Sequence, residues 1–261
     1  MSIVTLMTDY GTRDAYVASV KGVILSLAPQ AVVVDLTHEI DPFDVRRGAF
    51  VLWQSFRWFP AGTVHLAVVD PGVGSPRKLL AASFAGHVFL VPDNGLLTLI
   101  HREFRVEAMH AIENRRWYQP HVSTTFHGRD ILAPVAAHLV NGVRLWELGP
   151  ATDRMEVLPF RFRADSKEAG LEGDVLCADR FGNLITNIHG DQVDGLRVRG
   201  RCPQVYVGSQ CVGPLRAAYH EVVPHEWVAY IGGGGLLEIA IHRGRAVDRF
   251  GSLETTIVAV R

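Results

Sequence analysis

Val64-His-Leu-Ala-Val-Val-Asp-Pro-Gly-Val-Gly-Ser-Pro-Arg-Lys78 is the stretch on which the fold turns. Residues 64–69 are an apolar run of strand length, and Asp70 closes it just ahead of a loop set by glycines and prolines. The same figure recurs on both sides. Ile3 to Asp9 reads as a buried strand, Val32 to Asp35 as a second, Val64 to Asp70 as a third and Val88 to Asp93 as a fourth. Helical patterns fall between them. Asp14 is placed to cap a helix that runs to Leu27 and stops before Pro29. A second helix starts after Asp44, with Val45, Ala49, Leu52, Trp53 and Phe56 on one buried stripe ending at Pro60. A third, Asp130 to Val140, is closed by Asn141-Gly142, with Pro134 kinking it or falling in its first turn.

Strands alternating with helices imply a Rossmann-like α/β domain with a parallel sheet and crossover connections. Ligands of open α/β sheets bind outside the carboxyl ends of the strands, so Asp9, Asp35, Asp70 and Asp93 are expected to face one rim. Any one of them alone is also an ordinary turn residue. Beyond Pro150 the texture changes. The polar segment Arg163-Ala-Asp-Ser-Lys-Glu-Ala-Gly170 reads as a linker. Short alternating runs follow, Asp174 to Asp179, Gln204 to Val207, Trp227 to Ile231 and Leu236 to Ile241, separated by Gly and Pro. These predict a smaller antiparallel β-barrel. The expected division is an N-terminal α/β domain over 1–152, a linker over 153–169 and a C-terminal barrel over 170–261.

Composition excludes several function classes. The 261 residues carry 26 Lys+Arg against 27 Asp+Glu, a formal charge of -1, so there is no basic field for nucleic acid. With 48% hydrophobic residues the chain has material for a packed core. No apolar run reaches the ~18 residues of a membrane helix. Cys177, Cys202 and Cys211 do not make a disulfide framework or a CxxC metal site. The N-terminus starts at once on a strand-like run without a basic leader, and a cytoplasmic protein is expected.

Several constellations are placed to carry chemistry. Asp70 and Arg77 lie within reach of a fold-back pairing across the Gly/Pro loop, which is neither a GxGxxG fingerprint nor a P-loop. His127, in Phe126-His-Gly-Arg-Asp130, sits just ahead of a helix, where its cationic form is disfavoured and a neutral base is favoured. There is no HExxH, and His220 to His225 with Glu221 and Glu226 is too loose for zinc, so no metal is expected. In Asp179-Arg-Phe-Gly-Asn-Leu-Ile-Thr-Asn187, an aromatic beside Asn and Asp suits a flat base and a zwitterion; taken alone, a hairpin bent at Gly182-Asn183 is the favoured short-range reading. Gly232 to Gly235, after Tyr230, allows close backbone approach or marks a simple turn.

Taken in order, Thr8-Asp-Tyr-Gly11, Asp70-Pro-Gly-Val-Gly74 with Arg77, Pro92-Asp-Asn-Gly-Leu-Leu97, Phe126-His-Gly-Arg-Asp130, Asp179-Arg-Phe-Gly-Asn183 with Thr186-Asn187, and Leu237-Glu-Ile-Ala240 resemble the S-adenosyl-L-methionine hydroxide adenosyltransferase family, relatives of the fluorinating and chlorinating enzymes. The resemblance spans Thr8 to about Ala246. It implies a homotrimer, or a dimer of trimers, with active sites where the N-terminal domain of one subunit meets the C-terminal domain of the next. It also implies the reaction, S-adenosylmethionine plus water giving adenosine and methionine, with no separate cofactor. The family's water-activating Asp, Arg and His map onto Asp70, Arg77 and His127. Asp9, with Asp14 nearby, would bind the ribose. Asp179 and Asn183 would hold the methionine zwitterion, Phe181 would stack on adenine, and Tyr230 would line the same pocket. Asn94 and Glu238 lie in the matched motifs and join the expected substrate contacts. Gly233 and His242 depart from the Ser and Asn often found there in the family, leaving the glycine run's backbone to substitute.

The residue types suit this chemistry. The sulfonium makes methionine a good neutral leaving group, so the protein must hold a water in line with ribose C5′ and take its proton. The sequence reading makes Asp70 the acceptor, with His127 aligning the water, and the reverse assignment stays open. A preference for the sulfonium epimer that methyltransferases do not use would give such hydrolysis a purpose. The alternatives are halide-dependent adenosyl transfer, giving a 5′-halo-5′-deoxyadenosine, and a sensor that binds the nucleoside without turnover.

Overall fold

The computed structural model describes residues 2–159, 161–198, 203–250, 253 and 255–261, and it divides into two units, Met1–Leu158 and Pro159–Arg261. Cys202 lies outside the described residues. In the first unit the strands are β1 (Ile3–Thr8), β2 (Val32–Thr37), β3 (Val64–Val68), β4 (Leu79–Phe84), β5 (His87–Pro92) and β6 (Val106–Ala111). The helices are α1 (Tyr16–Leu27), α2 (Val45–Phe56), α3 (Thr98–Glu103) and α4 (Ala133–Val140).

The six strands form one sheet in the order β2-β1-β3-β5-β4-β6. β1, β2, β3 and β5 pair in parallel, while β4 runs against both its neighbours. The sheet is therefore mixed rather than parallel. β4 and β6 escaped the sequence reading; for β4 the reason is that its hairpin to β5 turns on Ala85-Gly86, both at positive φ (50° and 75°). This is the geometry of a tight primed turn, and Ala carries no signal for it.

Side chains alternate across the sheet. Val4, Leu6, Val64, Leu66 and Val68 pack in one core with Val17, Val20 and Ile24 of α1 and with Val135, Ala136 and Ala137 of α4. Thr5 and His65 point to the other side, where Phe56 of α2 lies 6.1 Å from the His65 ring. Asp44 caps α2 by accepting from the Arg47 N–H. Asp14 does not cap α1. Ala15 occupies that position with no side-chain bond, so the helix begins one residue too late for Asp14 to cap it. A π-helical turn, Gly128–Leu132, leads directly into α4, and Pro134 falls in the first turn of α4.

The second unit is an antiparallel barrel built from β7 (Asp165–Lys167), β8 (Gly170–Ala178), β9 (Leu184–His189), β10 (Gln204–Val207), β11 (Gln210–Pro214), β12 (Trp227–Ile231), β13 (Leu236–Ile241) and β14 (Ile257–Val260), with α5 (Gly190–Val198). The strand path β11-β10-β14-β8-β9-β13-β12 closes where Leu215 bridges Ala229. Leu171, Leu184, Ile188, Val205, Leu237, Ile239 and Val258 fill the interior, joined by Val193 and Leu196 of α5. The segment read as a linker instead contributes β7, paired with β8. Asp and Lys are weak strand formers, but pairing to an established neighbour overrides that bias. Among the described residues no helix is long and apolar enough to cross a membrane.

One buried polar chain runs through the first unit. Thr5 Oγ1 is 2.7 Å from His65 Nδ1, and His65 Nε2 is 3.1 Å from His87 Nδ1. Phe56 and Phe89 crowd both rings. Burial, reinforced by the charge of His87, pushes the pKa of His65 from 6.5 down to about 3. Burial also lowers that of His87, against the pull of Glu107. Between pH 6.5 and 3 the unfolded chain therefore binds protons that the folded one refuses, so stability is present above pH 6.5 and falls as pH drops through that window. Each such proton contributes a slope of about 1.4 kcal/mol per pH unit. Denaturant unfolding of the wild type between pH 7 and 4 should show this slope, and His65→Leu should flatten it; equal slopes would refute the assignment.

Candidate active site

The strand order places β1 between β2 and β3, so the connections leaving β1 and returning to β3 pass over opposite faces of the sheet. A crevice opens between the loops that follow such strands. Here those loops carry Asp9 and Asp70, and both line one cleft of about 610 Å³. Asp9 accepts from the Phe43 N–H at 3.0 Å. Tyr10, Tyr16, Phe43, Phe126 and Gly128 complete much of the wall. Of the other two strand-end aspartates, Asp35 lies inside β2 and pairs with Lys21 at 2.6 Å, and Asp93 accepts from the Glu156 N–H beside a separate cavity.

Asp70 and Arg77 form the expected pair. Arg77 Nε donates to Asp70 Oδ1 at 2.6 Å, and Nη2 donates to Oδ2. The two side chains are only 4% and 9% exposed, so this is a bidentate pair taken almost wholly out of water. The loop between them is pressed against the 123–130 segment. Gly74 is at φ +82°, and a Cβ there would stand 2.7 Å from the Thr124 carbonyl, so a side chain is excluded. The facing segment is tied internally: Asp130, buried, accepts from the Ser123 N–H at 2.9 Å and from Arg129 Nε at 2.6 Å, and Ser123 Oγ accepts from the Phe126 N–H at 3.0 Å.

These ties hold His127 at the start of the π-helical turn. Burial, together with the positive charge of Arg77, lowers its pKa against the opposing pull of Asp70 and Asp130, so the imidazole is neutral at pH 7. Its Nδ1 is buried without a hydrogen-bond partner among the described residues. His127 lines the cavity next to the cleft, with Gly74, Tyr118 and Thr124, while its neighbour Gly128 faces the cleft itself. Asn94 lies behind Asp70 rather than in the cleft wall, and its Nδ2 donates to the Val69 carbonyl at 2.8 Å. Asp14 is exposed and is not part of that wall.

In the second unit the β8–β9 turn brings Asp179 and Asn183 together. Asn183 N–H donates to Asp179 Oδ1 and its Nδ2 to Oδ2, both at 2.8 Å. The same Nδ2 donates to Tyr219 Oη at 2.9 Å, Tyr219 Oη bonds Tyr230 Oη, and Tyr230 donates to Glu238 Oε2 at 2.7 Å. Burial, with the nearby Asp179 charge, raises the pKa of Glu238 despite the bond from Tyr230. Gly232 makes room for that carboxylate, since a Cβ there would fall 1.9 Å from Glu238 Oε1. Phe181 stands 75% exposed at the turn. Gly233 is exposed with open space around it, and His242 Nδ1 is 2.8 Å from the Val222 carbonyl, so neither joins the chain of bonds.

Tyr219 was not among the sequence candidates. It lies in a 3-10 turn between strands, where no periodicity marks it. Tyr16 and Phe43 were likewise unmarked, and Phe126 stood in its motif without a role, because their contribution comes from the wall they build together. Among the described residues no group of three His, Cys, Asp or Glu is arranged to hold a metal ion.

Comparison with known proteins agrees over the whole chain. The family models described as "SAM hydroxide adenosyltransferase N-terminal domain" and "SAM hydroxide adenosyltransferase C-terminal domain" match residues 4–149 and 173–259. The (R)-S-adenosyl-L-methionine hydrolase of Thermus thermophilus is 39% identical over 97% of this chain and 97% of its own. That of Salinispora tropica is 39% identical over 95% and 93%. A fluorinase of an Actinoplanes species is 32% identical over 72% of each chain. An uncharacterized conserved protein of Thermotoga maritima superposes with a TM-score of 0.91 at 36% identity, covering 98% of this chain and 99% of that one. Matched in both domains by one pair of models, and nearly end to end by relatives of 39% identity, the chain belongs to the SAM hydroxide adenosyltransferase family.

Proposed function

We propose that this protein hydrolyses S-adenosyl-L-methionine to adenosine and methionine, acting on the (R)-sulfonium epimer named for its relatives. The observation that carries the reading is the buried Asp70–Arg77 pair at the β1/β3 crevice, with a neutral His127 in the adjoining cavity whose Nδ1 has no partner among the described residues. In the proposed step the water oxygen attacks ribose C5′, the C5′–S bond breaks, and its electron pair goes to sulfur, which leaves as the neutral thioether of methionine. The water proton must be taken up as the new C–O bond forms. Both oxygens of Asp70 are already engaged by Arg77, whereas His127 Nδ1 accepts nothing, which favours His127 as the acceptor and Asp70 as the group that fixes the water.

Asp9 is then the ribose contact, and Asp179 with Asn183 the contact for the methionine zwitterion. Both sites lie beside exposed aromatics, Tyr16 at 52%, Phe43 at 68% and Phe181 at 75%. Apolar surface of that kind is normally covered by a ligand or a partner. This supports a homotrimer, or a dimer of trimers, whose active sites are completed by a neighbouring copy. The proposed enzyme works in the cytoplasm on S-adenosylmethionine itself with no separate cofactor. Halide transfer is the second reading, favoured by the similarity to the fluorinase.

Incubation with the two separated S-adenosylmethionine epimers in chloride or fluoride buffer should release adenosine alone, faster from the (R) form; a halonucleoside would overturn hydrolysis, and faster turnover of the other epimer would overturn the preference. His127→Ala and Asp70→Asn should each lower turnover by roughly two orders of magnitude with substrate affinity nearly unchanged. A collapse of affinity would make them binding groups. Asp9→Ala should weaken the affinity for adenosine itself, read by calorimetry, and an unchanged affinity would remove it from the ribose role.

A further inference from the structure

One polar group in the cleft is fixed, protonated and unused by the mechanism above. Tyr10 follows Asp9 at the end of β1. Its N–H donates to Thr8 Oγ1 at 3.2 Å, and that oxygen is also 2.8 Å from His38 Nδ1, while Gly11 N–H donates to the His38 carbonyl at 2.8 Å. The turn is thus tied to the end of β2 on both sides of Tyr10. The ring is held edge-on by Phe126 and tilted against Tyr16, with centroids 5.8 Å away in each case. The ring has little freedom to swing.

This places the hydroxyl over Gly128, the residue after His127. A Cβ on Gly128 would stand 2.7 Å from Tyr10 Oη and 3.7 Å from Cζ. Tyr10 lines the same cleft as Asp70, and no residue among those described accepts from its hydroxyl. Burial and the charges of Asp9 and Asp70, against that of Arg77, raise its pKa far above the usual phenol value, so it keeps its proton at every working pH. A protonated donor held against Gly128 therefore lies in the cleft that Asp70 lines, one residue along the chain from His127.

A water held there offers two O–H bonds and two lone pairs. Its O–H groups suit Asp70 and His127. If one lone pair is also claimed, the other is directed at C5′ and tumbling of the nucleophile is suppressed. We propose that Tyr10 is this third contact, donating its phenolic hydrogen to the attacking water, and that Gly128 lacks a side chain so that the hydroxyl can reach it. The assignment rests on the hydrolytic reading given above.

Tyr10→Phe keeps the ring between Phe126 and Tyr16 and removes only the donor. It should lower kcat at least about tenfold, with KM and adenosine affinity changed less than about threefold and the melting temperature little altered. Gly128→Ala should lower kcat in the wild-type background by displacing the hydroxyl. In the Tyr10→Phe background it should have less than about a twofold further effect, since the nearest ring atom would be in ordinary contact. An unchanged kcat in Tyr10→Phe overturns the assignment, as does a loss of adenosine affinity that accounts for the whole effect, or additive losses in the double variant. Absence of adenosine formation by the wild type would overturn the hydrolytic reading and this inference with it, whereas adenosine formation with an unaffected Tyr10→Phe variant would overturn this inference alone.

Discussion

Crossover connections between parallel strands are right-handed, so a chain that moves from β1 to β2 and then back past β1 to β3 must cover the sheet first on one face and then on the other. Everything in the first unit follows from that constraint. α1 and α2 part company at β1, and the loops after β1 and β3 are left flanking a gap that no helix fills. Asp9 and Asp70 face the gap because each is among the first residues beyond its strand.

What occupies the gap is physically expensive. Withdrawing a carboxylate and a guanidinium from water costs several kcal/mol per ion, which their attraction offsets only when the geometry is good. The Asp70–Arg77 pair meets that condition through its two-pronged contact, and the loops around it are held by close contacts to backbone groups. Gly74 against Thr124, Asn94 on the Val69 carbonyl and Asp130 on Ser123 each fix a loop by one contact that admits little play. A pair of this kind contributes orientation more than stability.

How much of this was legible in the sequence depended on how local the cause was. The strands leading to Asp9 and Asp70, the start of α2 after Asp44 and the Asp179–Asn183 turn are set by residues within a few positions of one another, and each was legible. The Asp70–Arg77 pair was also legible, since a Gly/Pro loop can only return the chain on itself. The β4–β5 hairpin was not, because Ala85 accepts a conformation usually left to Gly or Asn. β7 was not, because its strand character comes from β8 and not from Asp165, Ser166 and Lys167. Asp14 was misread for the opposite reason: its type suits a cap, but the chain around it does not enter the helix there. The role of the cleft walls was beyond reach, since Tyr16, Phe43 and the motif residue Phe126 come to line one cleft only after the sheet has folded.

The bonds that join Asn183 to Glu238 have a direction. Tyr230 has one hydrogen and gives it to Glu238, so it must receive one from Tyr219; Tyr219 has then spent its own and must receive from the Asn183 amide. Both amide hydrogens of Asn183 are thereby assigned, one to Tyr219 and one to Asp179, and only its carbonyl oxygen is left to face a ligand. The polarity of the whole relay is set at its far end by Glu238, whose Oε2 accepts the last hydrogen. Whether Asn183 greets an incoming group as an acceptor is decided by the charge state of a residue that need never touch that group.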